Sequence, residues 1–414
     1  MSFEQRLKRY AEVIVKIGLN LQPGQKLLIK ASIEAKPFVR LVTEYAYKQK
    51  SKLVSVLWED RNLDLIRIQN ASCSSLKEYE KWKIDLLIEA VKRGDSILNI
   101  ISPNPDLFKD VDPKLIAFIG QLAHKHTSEF QKYLIRNKTN WCKVAVPNSS
   151  WAEKVFPNLP LKKRLPALWN EIFRTSRINN PNPVLAWRKH INELSKIINY
   201  LNIRQYISLK FVSPDTDLTI GLPKKHIWAG GIIETKNNQK IKFTPNIPTE
   251  EIFTLPHREK VNGVVASSKP LNYGGVSIEH FFLTFKNGKI MKVKAKKNEK
   301  ILKKIIKTDE GSRRLGEVAL VPNSSSVSKS GLIFYSDLFD ENAATHLALG
   351  KALRVNIKNG FEMSEKSFLK AGGNISLIHI DFMIGSNKMD VFGVKKDKKI
   401  EPIMKKSEWV LGIK

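Results

Sequence analysis

The chain changes its hydrophobic period part-way along, and the change divides it. Residues 4–19 carry apolar side chains at Leu7, Tyr10, Ala11, Ile14, Val15 and Ile17, the three-to-four spacing of an amphipathic helix. After the turn Pro23-Gly24, the apolar run Lys26 to Ala31 predicts a short strand. A helix is expected over about 34–48, with Pro37 in its first turn, where a missing N–H costs little. The succession continues with a strand at Leu53 to Leu57, helical stretches around Leu63 and over 75–92, and a strand at Asp95 to Ile101. A long helix over 113–137 and a strand at Lys143 to Val146 follow.

Strands that alternate with helices predict a parallel sheet with helices on both faces. Residues 157–184 hold Pro157, Pro160, Pro166, Pro181 and Pro183 and read as a connecting region, ahead of a helix over 184–201. Beyond Arg204 short strands take over, at 207–211, 218–220, 230–234, 263–267, 281–285 and 289–293. The last two flank Asn287-Gly288, the strongest short-range hairpin signal. The expected fold class is therefore α/β plus α+β. Residues 1–205 form a doubly wound, flavodoxin-like domain, and residues 206–414 a mixed, mostly antiparallel domain. No Gly-x-Gly-x-x-Gly follows the first strand and no Gly-Lys-Ser/Thr loop occurs, so nucleotide binding is not indicated.

Composition narrows the class. At 414 residues and 42% hydrophobic content the chain is a globular protein of two domains. Met1 to Arg9 is polar, and no apolar run approaches the ~18 residues of a membrane span. Two cysteines, Cys73 and Cys142, suit a reducing compartment, and a cytoplasmic location is expected. The formal charge of +30, from 70 Lys+Arg against 40 Asp+Glu, raises nucleic acid as a partner. The lysine-rich runs 294–304 and 395–406 carry no interleaved aromatics for base stacking, so solvated lysines are favoured over a nucleic-acid surface.

The candidate chemistry lies in the second half. Phe339-Asp340-Glu341-Asn342 reads as a capped helix start, with His346 one turn into an Ala- and Leu-rich helix. Ile378-His379-Ile380-Asp381-Phe382 reads as a strand, so His379 and Asp381 leave one face and the apolar residues the other. Glu250 and Glu251 sit in a proline-stiffened loop, and Glu317 heads the apolar run Val318-Ala319-Leu320-Val321. With one of the paired glutamates, Glu317, Glu341, His346, His379 and Asp381 make an oxygen-rich, two-imidazole set suited to Zn, Co or Mn. His124 and His126, two apart on a helix, cannot chelate together. His190, His226, His257 and His280 lack clustered partners in the sequence.

These segments resemble the metallo-aminopeptidases typified by aminopeptidase T and aminopeptidase S. The matching stretches are Asn246 to Glu251, Leu315 to Pro322, Leu338 to Ala343 with His346, His379 to Gly385, Asp217 to Leu222 and Gly274-Gly275. The resemblance implies an enzyme that binds two divalent ions, removes N-terminal residues from peptides, and forms a homodimer with an enclosed cavity. It implies Glu251 (Glu250 as the alternate), Glu317, Glu341, His346, His379 and Asp381 as metal residues, with Glu317 bridging and Glu341 as ligand or general base. One departure stands out: the family carries a tyrosine seven residues after the histidine, and this chain has Leu353. Leucine has no hydroxyl to stabilise an oxyanion. The alternative function is a metal-retaining pseudoenzyme or a basic nucleic-acid-associated protein, motivated by Leu353 and the charge.

Overall fold

The computed structural model describes residues 1–273 and 276–412, and Gly274-Gly275 lies outside the described residues. The chain separates into two compact units. One comprises residues 1–191, 232–248 and 333–338; the other comprises 192–231, 249–332 and 339–414.

The first unit is built on four parallel strands: β1 (Leu27–Ser32), β2 (Val54–Glu59), β3 (Ser96–Ile101) and β4 (Trp141–Ala145). Their order is β2-β1-β3-β4. The helices are α1 (Phe3–Val13), α2 (Lys36–Lys48), α3 (Arg61–Asn70), α4 (Lys81–Lys92), α5 (Pro113–Ile135), α6 (Ser149–Val155) and α7 (Leu161–Thr175). Ser2 and Gln5 cap α1 reciprocally, which satisfies two N–H groups that the first turn leaves open. Leu28 and Ile97 pack with Ile84, Leu87, Ile88 and Phe130 of α4 and α5. Leu27 and Ile29, also buried, face the opposite side of the sheet by strand alternation. The parallel sheet is the one that the helix–strand succession predicts.

The stretch expected to be a connection is different. Residues 161–175 form α7, with Pro166 inside it. Leu168, Ile172 and Phe173 on one face of α7 are fully buried. Proline in a helix interior costs about 3 kcal/mol, whereas burying each such apolar side chain stabilises by ~1.5–3 kcal/mol. The packed face outweighs the break. His126 on α5 stacks on Tyr79 at 4.4 Å, and so serves packing.

The second unit is two antiparallel sheets around one core. The larger has the order Leu271–Tyr273, Val276–Lys286, Val261–Ala266, Thr216–Gly221, Ser208–Ser213, Asp390–Val394, Ile400–Lys405, Glu408–Trp409. Lys289–Lys297 also pairs with Val276–Lys286, through the hairpin at Asn287-Gly288. Both turn residues are left-handed, with φ of 50° and 79°, and a side chain at Gly288 would meet the Arg258 carbonyl at 1.8 Å. The smaller sheet has the order His379–Met383, His346–Gly350, Leu315–Leu320, Ile252–Thr254. Leu209, Phe211, Leu218 and Ile220 of the large sheet share a core with Val318, Leu320, Leu347, Leu349 and Phe382 of the small one. Phe281 and Phe382 meet ring to ring at 5.4 Å.

The small sheet corrects one expectation. His346 begins a strand, His346–Gly350, and not a helix. Alanine and leucine carry helical propensity, but this segment is flanked by two ladders, to Leu315–Leu320 and to His379–Met383. Cross-strand pairing and burial override a weak local preference. Leu353 therefore shares no helix face with His346; it lies beyond the strand, just ahead of a single turn at Arg354–Asn356.

Candidate metal centre

Alternation along the small sheet builds the site. Ile252, Val318, Leu320, Leu347, Leu349 and Phe382 face the core. Their neighbours Glu251, Glu317, His346, His379 and Asp381 leave on the other face. The ladders set the rows on that face: Glu317 pairs with Ala348, Ala348 with Asp381, Ala319 with His346, and Gly350 with His379. Small residues thus fill the sheet positions between the polar ones. The register shifts between Leu315 and Glu317, at Gly316. A side chain at Gly316 would meet the carbonyls of Lys351 and Gly350 at 2.3 and 2.4 Å, so only glycine lets the strands approach there. Glu317 is consequently inside its strand, two residues past the start, where the sequence reading put it at the head.

The polar side chains converge. His346 Nε2 lies 3.3 Å from Glu251 Oε2 and 3.7 Å from Glu317 Oε1. His379 Nε2 lies 3.8 Å from Glu317 Oε2 and 3.5 Å from Asp381 Oδ1. Two groups, Glu251-Glu317-His346 and Glu317-His379-Asp381, each offer ligand atoms within 4.8 Å of one another, and Glu317 belongs to both. Glu251, Glu317 and His346 are buried, whereas the side chains of His379 and Asp381 keep 29% and 22% of their exposure. One half of the cluster is closed and the other is open to solvent.

Both imidazoles are held in one orientation. His346 Nδ1 is 3.1 Å from the Ala344 carbonyl, and His379 Nδ1 is 2.7 Å from the Lys351 carbonyl. A carbonyl only accepts, so each Nδ1 carries the proton and each Nε2 is turned to the carboxylates. His346 Nε2 is buried and lacks a hydrogen-bond partner among the described residues. Once it gives up its proton, this inward-facing Nε2 joins the carboxylates as the donor set of a divalent cation, and the residues present fit one.

The electrostatics agree. Burial opposes charge on His346, but contacts with Glu251 and Glu317 outweigh it and push its pKa well above the ordinary value. Burial likewise opposes charge on His379, and Asp381 and Glu317 overcome it and raise its pKa. Burial raises the Glu251 pKa, with His346 opposing and with Glu317 and Asp381 adding to the rise. In the metal-free chain, protons supply the positive charge that the cluster demands.

The remaining site residues fall elsewhere. Glu250 belongs to neither ligand group, and its Oε1 accepts a hydrogen bond from the Ser326 hydroxyl. Glu341 is half-buried in the turn after the short helix Asp337–Asp340, outside both ligand groups. The sequence reading missed that both histidines have carbonyl partners: Ala344 lies two residues before His346, and Lys351 follows Gly350, which the ladder pairs with His379.

A family model described as "Thermophilic metalloprotease (M29)" matches residues 3–409. The chain belongs to that family. It is 43% identical to "Aminopeptidase AmpS" of Bacillus subtilis (strain 168) over 408 residues, 99% of each chain. It is 44% identical to "Aminopeptidase 2" of Geobacillus stearothermophilus over 411 residues, again 99% of each. The solved structure titled "Wild-type AmpT from Thermus thermophilus" superposes with a TM-score of 0.93 at 38% identity, covering 99% of this chain and 100% of that one. Family and cluster together make this a divalent-metal peptidase; nothing in the comparisons favours the nucleic-acid alternative. No helix among the described residues is long and apolar enough to cross a membrane.

The raised histidine pKa values predict a pH dependence for the metal-free chain. A raised folded pKa means that the folded state binds more protons than the unfolded state, so stability falls as pH rises. The contribution is fully present below the unfolded histidine pKa of about 6.5 and is lost as pH passes through the raised folded values of His346 and His379. Denaturant unfolding of chelated protein at pH 6 and pH 9 should show the midpoint falling, while metal affinity rises over the same range. A midpoint independent of pH would contradict the proton-filled cluster.

Proposed function

We propose that this metal-dependent aminopeptidase works with two divalent ions, zinc, cobalt or manganese, bridged by Glu317. The observation that carries the reading is that the two oxygens of one buried carboxylate face different histidines, Oε1 toward His346 and Oε2 toward His379. Glu251 and His346 would complete one ion's ligands, and His379 and Asp381 the other's. Divalent ions held there supply Lewis acidity to a water and to the scissile carbonyl of a peptide with a free N-terminus. Glu341, in its turn ahead of the His346 strand, would take a proton from the attacking water and return it to the leaving amine. The solvent-facing side of His379 and Asp381 is where substrate would approach. Catalysis thus belongs to residues 206–414, with 1–205 as the supporting α/β domain. The two free cysteines, Cys73 exposed and Cys142 buried, suit a cytoplasmic protein.

Glu317→Gln tests the bridge directly. An amide lacks the charge and the second anionic oxygen, so turnover of aminoacyl reporters should be lost. Elemental analysis should find fewer than two ions per chain. Parent-like turnover with both ions retained would remove the assignment.

Leu353→Tyr tests the departure from the family. Losing one oxyanion donor costs roughly 2.7–4 kcal/mol, about a hundred- to thousand-fold in rate. The substitution should raise kcat and leave metal content alone. An unchanged kcat in a folded variant would show that the phenol is not needed here.

A homodimer is assigned on the resemblance. Light scattering at micromolar concentration should report twice the 47.2 kDa chain mass; a monomer mass refutes it.

A further inference from the structure

Glu250 stands beside Glu251 and is turned to other partners. It is 3% exposed. Its Oε1 accepts a hydrogen bond from the Ser326 hydroxyl at 2.5 Å, and its main-chain N–H donates to Asn342 Oδ1 at 2.7 Å. Asn342 is fully buried. Its N–H donates to the Phe339 carbonyl at 2.9 Å, and its carbonyl accepts from the Ser325 hydroxyl at 3.2 Å. The Ser325 oxygen accepts in turn from the Ser328 N–H at 2.9 Å. A loop, a turn and the approach to a strand are tied at one point.

This tie acts on the metal cluster through chain geometry. Residues 249–251 lead directly into the strand Ile252–Thr254. Adjacent side chains of an extended segment leave on opposite sides. Fixing both the main chain and the carboxylate of Glu250 therefore fixes the direction of Glu251, whose Oε2 meets His346. We propose that Asn342, Glu250 and Ser326 form a brace of positioning residues that aims the Glu251 carboxylate at the ion shared with His346 and Glu317. The inference rests on the two-ion reading. It gives Glu250 a role distinct from that of a ligand, and gives Asn342 one distinct from that of a helix cap.

The reach of the brace is local. Glu317, His379 and Asp381 are set by the ladders of the small sheet, which the brace does not enter. Loosening it should weaken one ion and spare the other. Outer partners of metal ligands typically govern about 10–100-fold in affinity.

The test is competitive titration of full-length, chelated protein with zinc against a chelating dye, with circular dichroism to confirm folding. Ser326→Ala and Asn342→Ala should each weaken one of two ions by about 10–100-fold and leave the other within about twofold. Glu250→Gln keeps an acceptor for Ser326 and should retain most of the affinity. Buried Asn342 is the variant at risk of misfolding, and Ser326→Ala, half-buried, then decides alone. Parent-like affinity for both ions in folded Ser326→Ala overturns the brace, as does equal weakening of both, which marks a general loss of structure. Glu251→Ala separates the two readings. If the parent binds a single ion, the two-ion reading fails; if Glu251→Ala loses one of two ions while Ser326→Ala loses none, only the brace fails.

Discussion

Three carboxylates and two imidazoles share one small, partly buried volume, and their need for positive charge governs the second unit. Carboxylates taken out of water without a counter-charge are strongly unfavourable. Among the described residues, Glu251, Glu317 and Asp381 converge on the imidazoles of His346 and His379. The carboxylates raise the proton affinity of both imidazoles, and a divalent cation would supply the same positive charge. The arrangement therefore has an energetic reason to bind metal, in addition to a geometric fit.

The sandwich makes this affordable. Strand alternation puts Val318 and Leu320 into the core from the same strand that presents Glu317, and Leu347 and Leu349 from the strand that presents His346. Each step that buries an apolar side chain aims the next residue at the site. A slip of one residue in either ladder would exchange the two faces, putting charge in the core and leucine in the site. Register is thus specified twice, by the hydrophobic face and by the polar one.

Much of this was legible in the sequence. The two-residue spacing of His379 and Asp381 in an apolar run gave their common face, and the structure has them on one strand edge facing Glu317. The alternating strands and helices of the first half gave the parallel sheet. Asn287-Gly288 gave its hairpin. Three features were hidden. Ala343, Ala344 and Ala348 read as helix because alanine's propensity is local, whereas its use at 348 is to leave room between Glu317 and Asp381 across two ladders. The helix at 161–175 was masked by Pro166, whose cost is visible in sequence while the burial that offsets it is not. The different surroundings of Glu250 and Glu251 involve Ser326 and Asn342, 76 and 92 residues from Glu250, which no local pattern reaches.

The floor of the cluster is made of absences. Ala348 contributes a methyl group, and Gly350, with φ of 99°, contributes nothing; a side chain there would strike the Ile378 carbonyl at 2.2 Å. Such a floor can be altered almost only in one direction. Apart from Ala348→Gly, which removes one methyl group, every substitution at these two positions adds atoms at the floor of the cluster. Sequence change beneath the cluster therefore runs almost wholly toward filling it, and room to vary lies at the rim, on the solvent-facing side of His379.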